Sequence, residues 1–523
     1  MSHVATATVL AWADHLAVDP NKVDPEALRS ELSGGTIPRA LADSARGHPL
    51  SVLAIDGERT THTDLHGRTA RQASVLAHLG VARGDRVAIN APASMSLVVA
   101  YLAALHLGGV VVLTNPAYTS TELDALLHRS GASLLLVHDH FDRPSPIPVQ
   151  RLSALAESTD LAREHPSVEL TPEDVALLAF TSGTTGVPKG VPLTHGQLLA
   201  SIGAAMRAWR WSSDDTLVHA LPLFHQHGLS GIHASLLAGS NAVILAQFDP
   251  DELLDAIARE GATVLFAVPS IHQRLVDLDQ ERLAPLRGLR LVTSGSAPLS
   301  TALAEALPEK VGSLPLERYG LTETGLNLSN SYDGQRAVGT VGTPLPGVEV
   351  ALTDPQGAPV ADGAEGEIVL RGPQIFDGYL DDPEATEAAF WPGQWFRTGD
   401  LGRWDGQGRL TISGRLKDLV ITGGLNVTPT EVEKVVEQLP GVREAAVAGL
   451  LSERWGEELA VWVVAEAGST VSPEQVIAHC REHLAAYKSP KQVFYVETLP
   501  RNAMGKITRS KLTADPQVAS QHP

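Results

Sequence analysis

Ten consecutive residues, Thr181-Ser182-Gly183-Thr184-Thr185-Gly186-Val187-Pro188-Lys189-Gly190, carry the groups best suited to holding an oxyanion. Three glycines, four hydroxyls and one lysine share this stretch. Glycines let backbone N–H groups converge without a Cβ in the way, hydroxyls add donors, and lysine adds a point charge. The stretch is not a Walker A loop. After Gly183 that pattern requires Gly-Lys-Ser/Thr, and the chain offers Pro188-Lys189-Gly190. A plain surface turn is the alternative, because Gly/Ser/Thr clusters usually are loops. Against it stand the lysine and the preceding apolar run, Val175-Ala176-Leu177-Leu178-Ala179-Phe180, which reads as a buried strand.

Further along, Leu291-Val292-Thr293-Ser294-Gly295-Ser296-Ala297-Pro298 and Leu316-Glu317-Arg318-Tyr319-Gly320-Leu321-Thr322-Glu323-Thr324 repeat the pattern of a strand running into a small-residue loop. Such strand ends are where open α/β sheets bind ligands. Tyr319 offers a flat face for a base, Thr322 a hydroxyl, and Glu323 a carboxylate for a hard cation. Mg²⁺ is commonly held by one or two carboxylates plus substrate phosphates, so one glutamate suffices. The segment Leu221-Pro222-Leu223-Phe224-His225-Gln226-His227-Gly228 lacks a third ligand at metal spacing. It reads as a pocket wall with His225 as a gate, or equally as a satisfied core histidine.

Around these loops, short β-type runs alternate with helical periods from residue 51 onward, which implies a largely parallel sheet covered by helices. Residues 1–50 read as an irregular N-terminal wrap. After about residue 339 the pattern becomes a small antiparallel β region, and beyond 416–418 a compact α+β pattern. The chain is thereby expected to divide into 1–416 and 417–523. A length of 523 residues is too great for one core. The formal net charge of −20 opposes a nucleic-acid or anionic-membrane partner, but not a nucleotide met by local cations. The single cysteine, Cys480, excludes an intrachain disulfide and fits a reducing cytoplasm. No secretory signal is expected in 1–20, and the apolar stretch 97–113, broken by His106 and Gly108-Gly109, reads as a buried helix entering a core strand rather than as a membrane insertion.

In order along the chain, 181–190, 319–324, Thr398-Gly399-Asp400, Gly414-Arg415-Leu416-Lys417-Asp418 and Pro500-Arg501-Asn502-Ala503-Met504-Gly505-Lys506 resemble the motifs of the acyl-adenylate-forming (AMP-binding) superfamily, which includes acyl-CoA synthetases. The resemblance spans residues 53–512. It implies an α/β fold: a large N-terminal domain of two αβ subdomains plus a small β-barrel, then a small mobile α+β C-terminal domain carrying the catalytic lysine. The implied cofactors and co-substrates are ATP, Mg²⁺ and coenzyme A, and the partner is a small-molecule carboxylic acid. Carried onto this sequence, Thr181, Ser182, Gly183, Thr184, Thr185, Gly186 and Lys189 would hold the β- and γ-phosphates. Tyr319, with Gly295, Ser296, Ala297 and Pro298, would sandwich adenine, and Glu317, Arg318, Gly320 and Thr322 complete the nucleotide loop. Glu323 and Thr184 would hold Mg²⁺. Asp400 would bond both ribose hydroxyls with Arg415 reinforcing it. Lys506 would bridge the substrate carboxylate and the α-phosphate. Lys417 is at the hinge position, and Gly424 would line the coenzyme A tunnel.

Among acids, the run from Glu317 through Asn327-Leu328-Ser329-Asn330-Ser331-Tyr332-Asp333-Gly334 resembles malonyl-CoA synthetases, with Leu321 where those often carry Met. A dicarboxylate needs a cation for its far end, because an unpaired buried charge is prohibitive. Arg274 and Arg290 are expected there as guanidinium–carboxylate partners, against the alternative that both face water. A fatty or aryl acyl-CoA synthetase, or an adenylation enzyme loading a carrier protein, are the other readings. The absence of a carrier domain after Lys506 weighs against the last.

Overall fold

Val/Ile/Leu-rich runs four to seven residues long, bounded by Gly or Pro and separated by helical periods, can bury both faces only as central strands of a helix-covered sheet. The computed structural model of the chain describes residues 5–157, 168–181, 188–422, 424–452, 454–466, 468–502 and 506–514. The chain divides into two units, one formed by 1–350 with 370–396 and the other by 351–369 with 397–523. The fold is mixed α/β: a large N-terminal part, a small half-barrel β region and a C-terminal α+β domain.

The first unit holds two sheets among its described residues. In the nine-stranded sheet, Val52–Ile55, Asn241–Ile244, Thr216–His219, Val264–Ala267, Leu291–Ser294 and Leu316–Leu321 run parallel in that spatial order. Their carboxyl ends therefore lie along one edge, and that edge carries 221–228, 295–298 and 322–324. Leu316–Leu321 then turns back antiparallel into Gly325–Ser329, with a bulge between Tyr319 and Gly320. Gly320 is required there, since a Cβ would stand 2.0 Å from the carbonyl oxygen of Gly325.

The six-stranded sheet contains the strand that precedes the oxyanion loop. Val175–Thr181 pairs antiparallel with Lys189–Thr194, placing Thr181 opposite Lys189. The strands on either side of 182–187 are thus the two arms of an antiparallel pair. The helix follows only at His195–Ala208, where Thr194 and Gln197 form a capping box. The stretch 97–113 resolves as expected into the buried helix Met95–His106, a turn through Gly108 in the left-handed region, and the strand Val110–Leu113. No helix of the described residues is long and apolar enough to cross a membrane.

Residues 5–50 correct the sequence expectation of an irregular wrap over 1–50. They form the helices Thr6–Leu16, Pro25–Ser33 and Ile37–Gly47. Asp24 caps the second and Thr36 the third, each with proline in the first turn. Trp12 is fully buried and donates its indole N–H to the Val348 carbonyl at 2.9 Å. The caps, the prolines and the buried face Ile37, Ala40, Leu41 and Ser44 are helix signals that the sequence already carries, so these helices were readable and were missed.

In the second unit, Leu425–Val427, Val420–Thr422, Gly456–Ala465 and Val442–Ser452 form a sheet extended by Gln492–Tyr495. The helices Pro429–Val436 and Pro473–His483 supply Val432, Val436, Val476 and Cys480 to its valine-rich core.

Candidate functional site

The sequence-predicted residues fall into a group in the first unit and a group in the second. In the first, Leu291–Ser294 ends in Gly295 and Ser296, and Ser296 adopts φ 68°, a left-handed conformation rare outside glycine. Such an outlier costs about 1–3 kcal/mol and persists where the surroundings over-determine it, often at binding sites. Ser296 is held by a hydrogen bond between its Oγ and His227 Nδ1 at 3.1 Å. Gly295 lies flat against the next strand, where a Cβ would come within 2.7 Å of the Arg318 guanidinium.

Glu317, Arg318 and Tyr319 are all buried on Leu316–Leu321. Glu317 accepts a hydrogen bond from the Gly339 N–H at 3.3 Å. Beyond them, Thr322 and Glu323 occupy the turn into Gly325–Ser329, and Asn327 steadies it by donating to Thr324 Oγ1 at 2.6 Å. Glu323 accepts from the Tyr379 hydroxyl at 3.1 Å, and its carbonyl accepts from Phe376 N–H at 2.9 Å. A carboxylate at a strand-end turn flanked by hydroxyls is a donor set that fits Mg²⁺. Of the oxyanion loop, Thr181 and Lys189 end the paired strands, and the Lys189 ammonium stands 4.6 Å from the Tyr379 ring centroid. Ser182, Gly183, Thr184, Thr185 and Gly186 lie outside the described residues.

His225 is the residue just before the helix Gln226–Ala238, makes no side-chain capping bond, and has its ring 4.7 Å from that of Phe224. Burial lowers its pKa to about 4, so it is a neutral imidazole at physiological pH. Gly228 permits this tight turn, because a Cβ would stand 2.4 Å from the Pro222 carbonyl oxygen.

The two arginines assigned to a substrate carboxylate behave differently from that expectation. Arg290 is already spent. Its Nε and Nη2 form a bidentate pair with Asp215 at 2.7 and 2.5 Å, while Nη1 and Nη2 also donate to the carbonyls of Trp209 and Arg210. A fork engaged on four acceptors has little left for a ligand, so Arg290 is a structural clamp. Arg274 is exposed on the helix Pro269–Val276, its guanidinium 4.8 Å from the Phe248 ring centroid.

A different arginine has the unmet demand. Arg318 is 8% exposed, its Nη2 has no partner among the described residues, and burial lowers its pKa to about 9. Beside it, His227 Nε2 is also enclosed and unpartnered, and burial followed by the Arg318 charge keeps that imidazole neutral. Sequence reasoning placed Arg318 only in the nucleotide loop and passed over His227. The available signal was a charge inside a strand whose neighbours on both sides are strands.

In the second unit, Thr398-Gly399-Asp400 lies on Trp395–Trp404, and antiparallel pairing sets Asp400 opposite Arg415. Asp400 is 3% exposed and bonded to Arg415 through Nε and, at 3.5 Å, through Nη2. Thr398 shapes the turn, its Oγ1 accepting from Asp400 N–H at 3.0 Å and donating to the Ile368 carbonyl at 2.7 Å. Lys417 is exposed in the 3₁₀ turn Leu416–Asp418, and Gly424 takes φ 78° in the turn after Val420–Thr422.

Lys506 joins this group. Burial, and then the positive field of Arg415, lower its pKa to about 8, while Asp400 and Asp418 partly restore it and Lys417 lowers it further. Its backbone is fixed by reciprocal bonds with Asn502, at 3.0 and 2.9 Å. Arg509 anchors the segment, with Nη2 donating to both Glu433 oxygens at 2.6 and 2.9 Å and Nε to the Val447 carbonyl at 3.0 Å. Lys506, from the far end of the chain, is thus half-buried within the electrostatic reach of Asp400, Arg415, Lys417 and Asp418.

The chain matches the family model for AMP-binding enzymes over residues 41–380 and that for the AMP-binding enzyme C-terminal domain over 431–506. It is 36% identical to the 3-[(3aS,4S,7aS)-7a-methyl-1,5-dioxo-octahydro-1H-inden-4-yl]propanoyl:CoA ligase of Mycobacterium tuberculosis, over 91% of this chain and 98% of that protein. Among solved structures it is similar to ATP-bound MatB from Rhodopseudomonas palustris, with TM-score 0.85, 36% identity, and 92% and 99% of the two chains covered. It is also similar to the o-succinylbenzoate coenzyme A synthetase MenE of Bacillus subtilis in complex with ATP and magnesium ion, with TM-score 0.82, 30% identity, and 91% and 99% covered.

Proposed function

We propose that this chain, which belongs to the family of AMP-binding enzymes, is an AMP-forming acyl-CoA ligase whose acid is malonate or a substituted malonate. In the reaction, a carboxylate oxygen attacks the α-phosphorus of ATP and pyrophosphate leaves. The sulfur of coenzyme A then attacks the acyl carbon of the acyl-AMP, and AMP leaves. Thr181 and Lys189 cradle the departing pyrophosphate, with Ser182, Gly183, Thr184, Thr185 and Gly186 between them. Tyr319 and 295–298 flank adenine, and Asp400 accepts from the ribose hydroxyls while Arg415 holds its carboxylate in place. Glu323 and Thr184 hold Mg²⁺, which offsets the charge of the phosphates when bound. Lys506 donates to the attacking carboxylate and the α-phosphate, where negative charge gathers in the transition state. The thioester step needs Lys506 withdrawn, and Lys417 is the pivot on which the C-terminal domain, with Gly424 at the coenzyme A tunnel, turns.

The observation that carries the acid assignment is the Arg318 guanidinium, buried with a donor unsatisfied. A monocarboxylate with an apolar tail would leave that charge unpaired, at a cost on the order of 3–5 kcal/mol for a fully buried group. A second carboxylate on the substrate answers it, and His227 Nε2 can take up the neighbouring oxygen if that tautomer carries the proton. Malonate and octanoate compared on the wild type and on Arg318→Leu test the reading. Malonate is expected to lead on the wild type and to lose about 10²-fold in kcat/KM on Arg318→Leu, with KM for ATP little changed. Octanoate leading on the wild type would refute it.

A further inference from the structure

The segment 375–380 is bonded to both sheets of the first unit. Gln197 Nε2 donates to the Ile375 carbonyl at 2.9 Å and to Asp377 Oδ2 at 3.1 Å. Phe376 N–H donates to the Glu323 carbonyl at 2.9 Å, and Leu380 N–H to the Gly190 carbonyl at 2.9 Å. Between these backbone ties, Tyr379 spans the same two places with its side chain. Its hydroxyl donates to Glu323 Oε1 at 3.1 Å, and its ring centroid is 4.6 Å from Lys189 Nζ. The ring is itself fixed, with Phe376 edge-on at 4.9 Å and Phe376 packed against Phe390 and Phe396.

We propose that Tyr379 is a positioning residue that sets the Glu323 carboxylate and the Lys189 ammonium relative to each other, so that one side chain aligns the cation-binding and phosphate-binding parts of the nucleotide site. The proposal rests on the roles given above to Glu323 and Lys189. Outer partners of a metal-binding carboxylate fix its orientation, and losing one typically weakens metal affinity about 10–100-fold. The cation–π contact directs the lysine without neutralising it, leaving its charge for phosphate. Burial and the Glu323 charge raise the phenol pKa, so the hydroxyl remains a donor throughout the working pH range. Gly190 allows the close seating of this segment, since a Cβ there would meet Leu380 Cβ at 3.0 Å.

ATP binding to the full chain, measured by calorimetry with and without Mg²⁺, tests this apart from turnover. Tyr379→Phe deletes the hydroxyl and keeps the ring. It is expected to raise the Mg²⁺ midpoint for tight ATP binding about tenfold, with metal-free ATP affinity unchanged. Tyr379→Leu should raise that midpoint and also weaken metal-free ATP binding severalfold, through loss of the ring beside Lys189. Glu323→Gln serves as the control for the underlying reading. If Glu323→Gln raises the midpoint and Tyr379→Phe does not, the positioning role is overturned while the reading of Glu323 stands. If Glu323→Gln leaves the midpoint unchanged, the reading itself falls and the proposal with it. Metal-free ATP affinity at the wild-type level in Tyr379→Leu would overturn the lysine half.

Discussion

With Lys506 in the role proposed, the adenylation step should lose activity as pH rises through about 8, well below the range of an ordinary lysine. The cause is burial first and the Arg415 charge second, outweighing the opposite pull of Asp400 and Asp418. With a pKa of about 8, roughly nine-tenths of the free enzyme carries the charge at pH 7 and roughly one-tenth at pH 9. The kcat/KM for ATP should therefore fall about tenfold per pH unit above that point. Bound ATP adds negative charge beside the ammonium, so the limb in kcat should lie at higher pH than the limb in kcat/KM. Pyrophosphate exchange is the suitable assay, because it omits coenzyme A, whose thiol titrates in the same window. Lys417→Ala removes a charge that lowers the Lys506 pKa and should move the limb upward. Lys506→Arg, which stays protonated, should be slower and show no limb. A kcat/KM that is flat from pH 7.5 to 9.5, or a limb unchanged in Lys506→Arg, would refute the assignment.

Two further outcomes concern stability. Arg290→Ala strips the partner from Asp215, whose side chain is only 3% exposed, and should cost about 3 kcal/mol in urea unfolding while the malonate-to-octanoate ratio stays at the wild-type value; a changed ratio would restore Arg290 to the acid pocket. His62, His195 and His272 have pKa values lowered to about 4, and His219 and His233 to about 3, all by burial. Folded, they stay neutral while the unfolded chain protonates near 6.5, so their stabilisation is complete above that pH and is lost as pH falls toward 4 and then 3. Each contributes at most about 1.4 kcal/mol per pH unit within its window. Urea midpoints should drop steeply from pH 7 to pH 5, and equal midpoints at both would contradict the burial of these imidazoles.

Which features were legible in the sequence follows from what each one depends on. The strand-and-loop motifs were readable because glycine and proline mark backbone conformations directly, and an apolar run beside them fixes a strand end. The N-terminal helices were readable in part, from the Asp24 and Thr36 caps and the face Ile37, Ala40, Leu41 and Ser44, whereas the docking of Trp12 was not, since its indole is satisfied by Val348 more than three hundred residues away. Likewise the strand Lys189–Thr194 declares itself through its pairing back onto Val175–Thr181 rather than through an apolar run of its own.

The choice between Arg290 and Arg318 shows where local reading ends. Arg290 precedes a strand, Arg318 lies within one, and by residue type alone both are single charges next to a ligand-bearing loop. Their difference is the partner. Asp215 comes from a distant turn and satisfies Arg290, while Gly295 brings the backbone close to Arg318 without offering it an acceptor. A guanidinium on a central strand whose side chain is also enclosed has little water to solvate it, so it must be paired or reserved for a ligand. A sequence argument could reach the central strand, but not the enclosure of the side chain. The acid pocket proposed above is therefore argued less from where an arginine stands in the chain than from which arginine is left, among the described residues, without a carboxylate of its own.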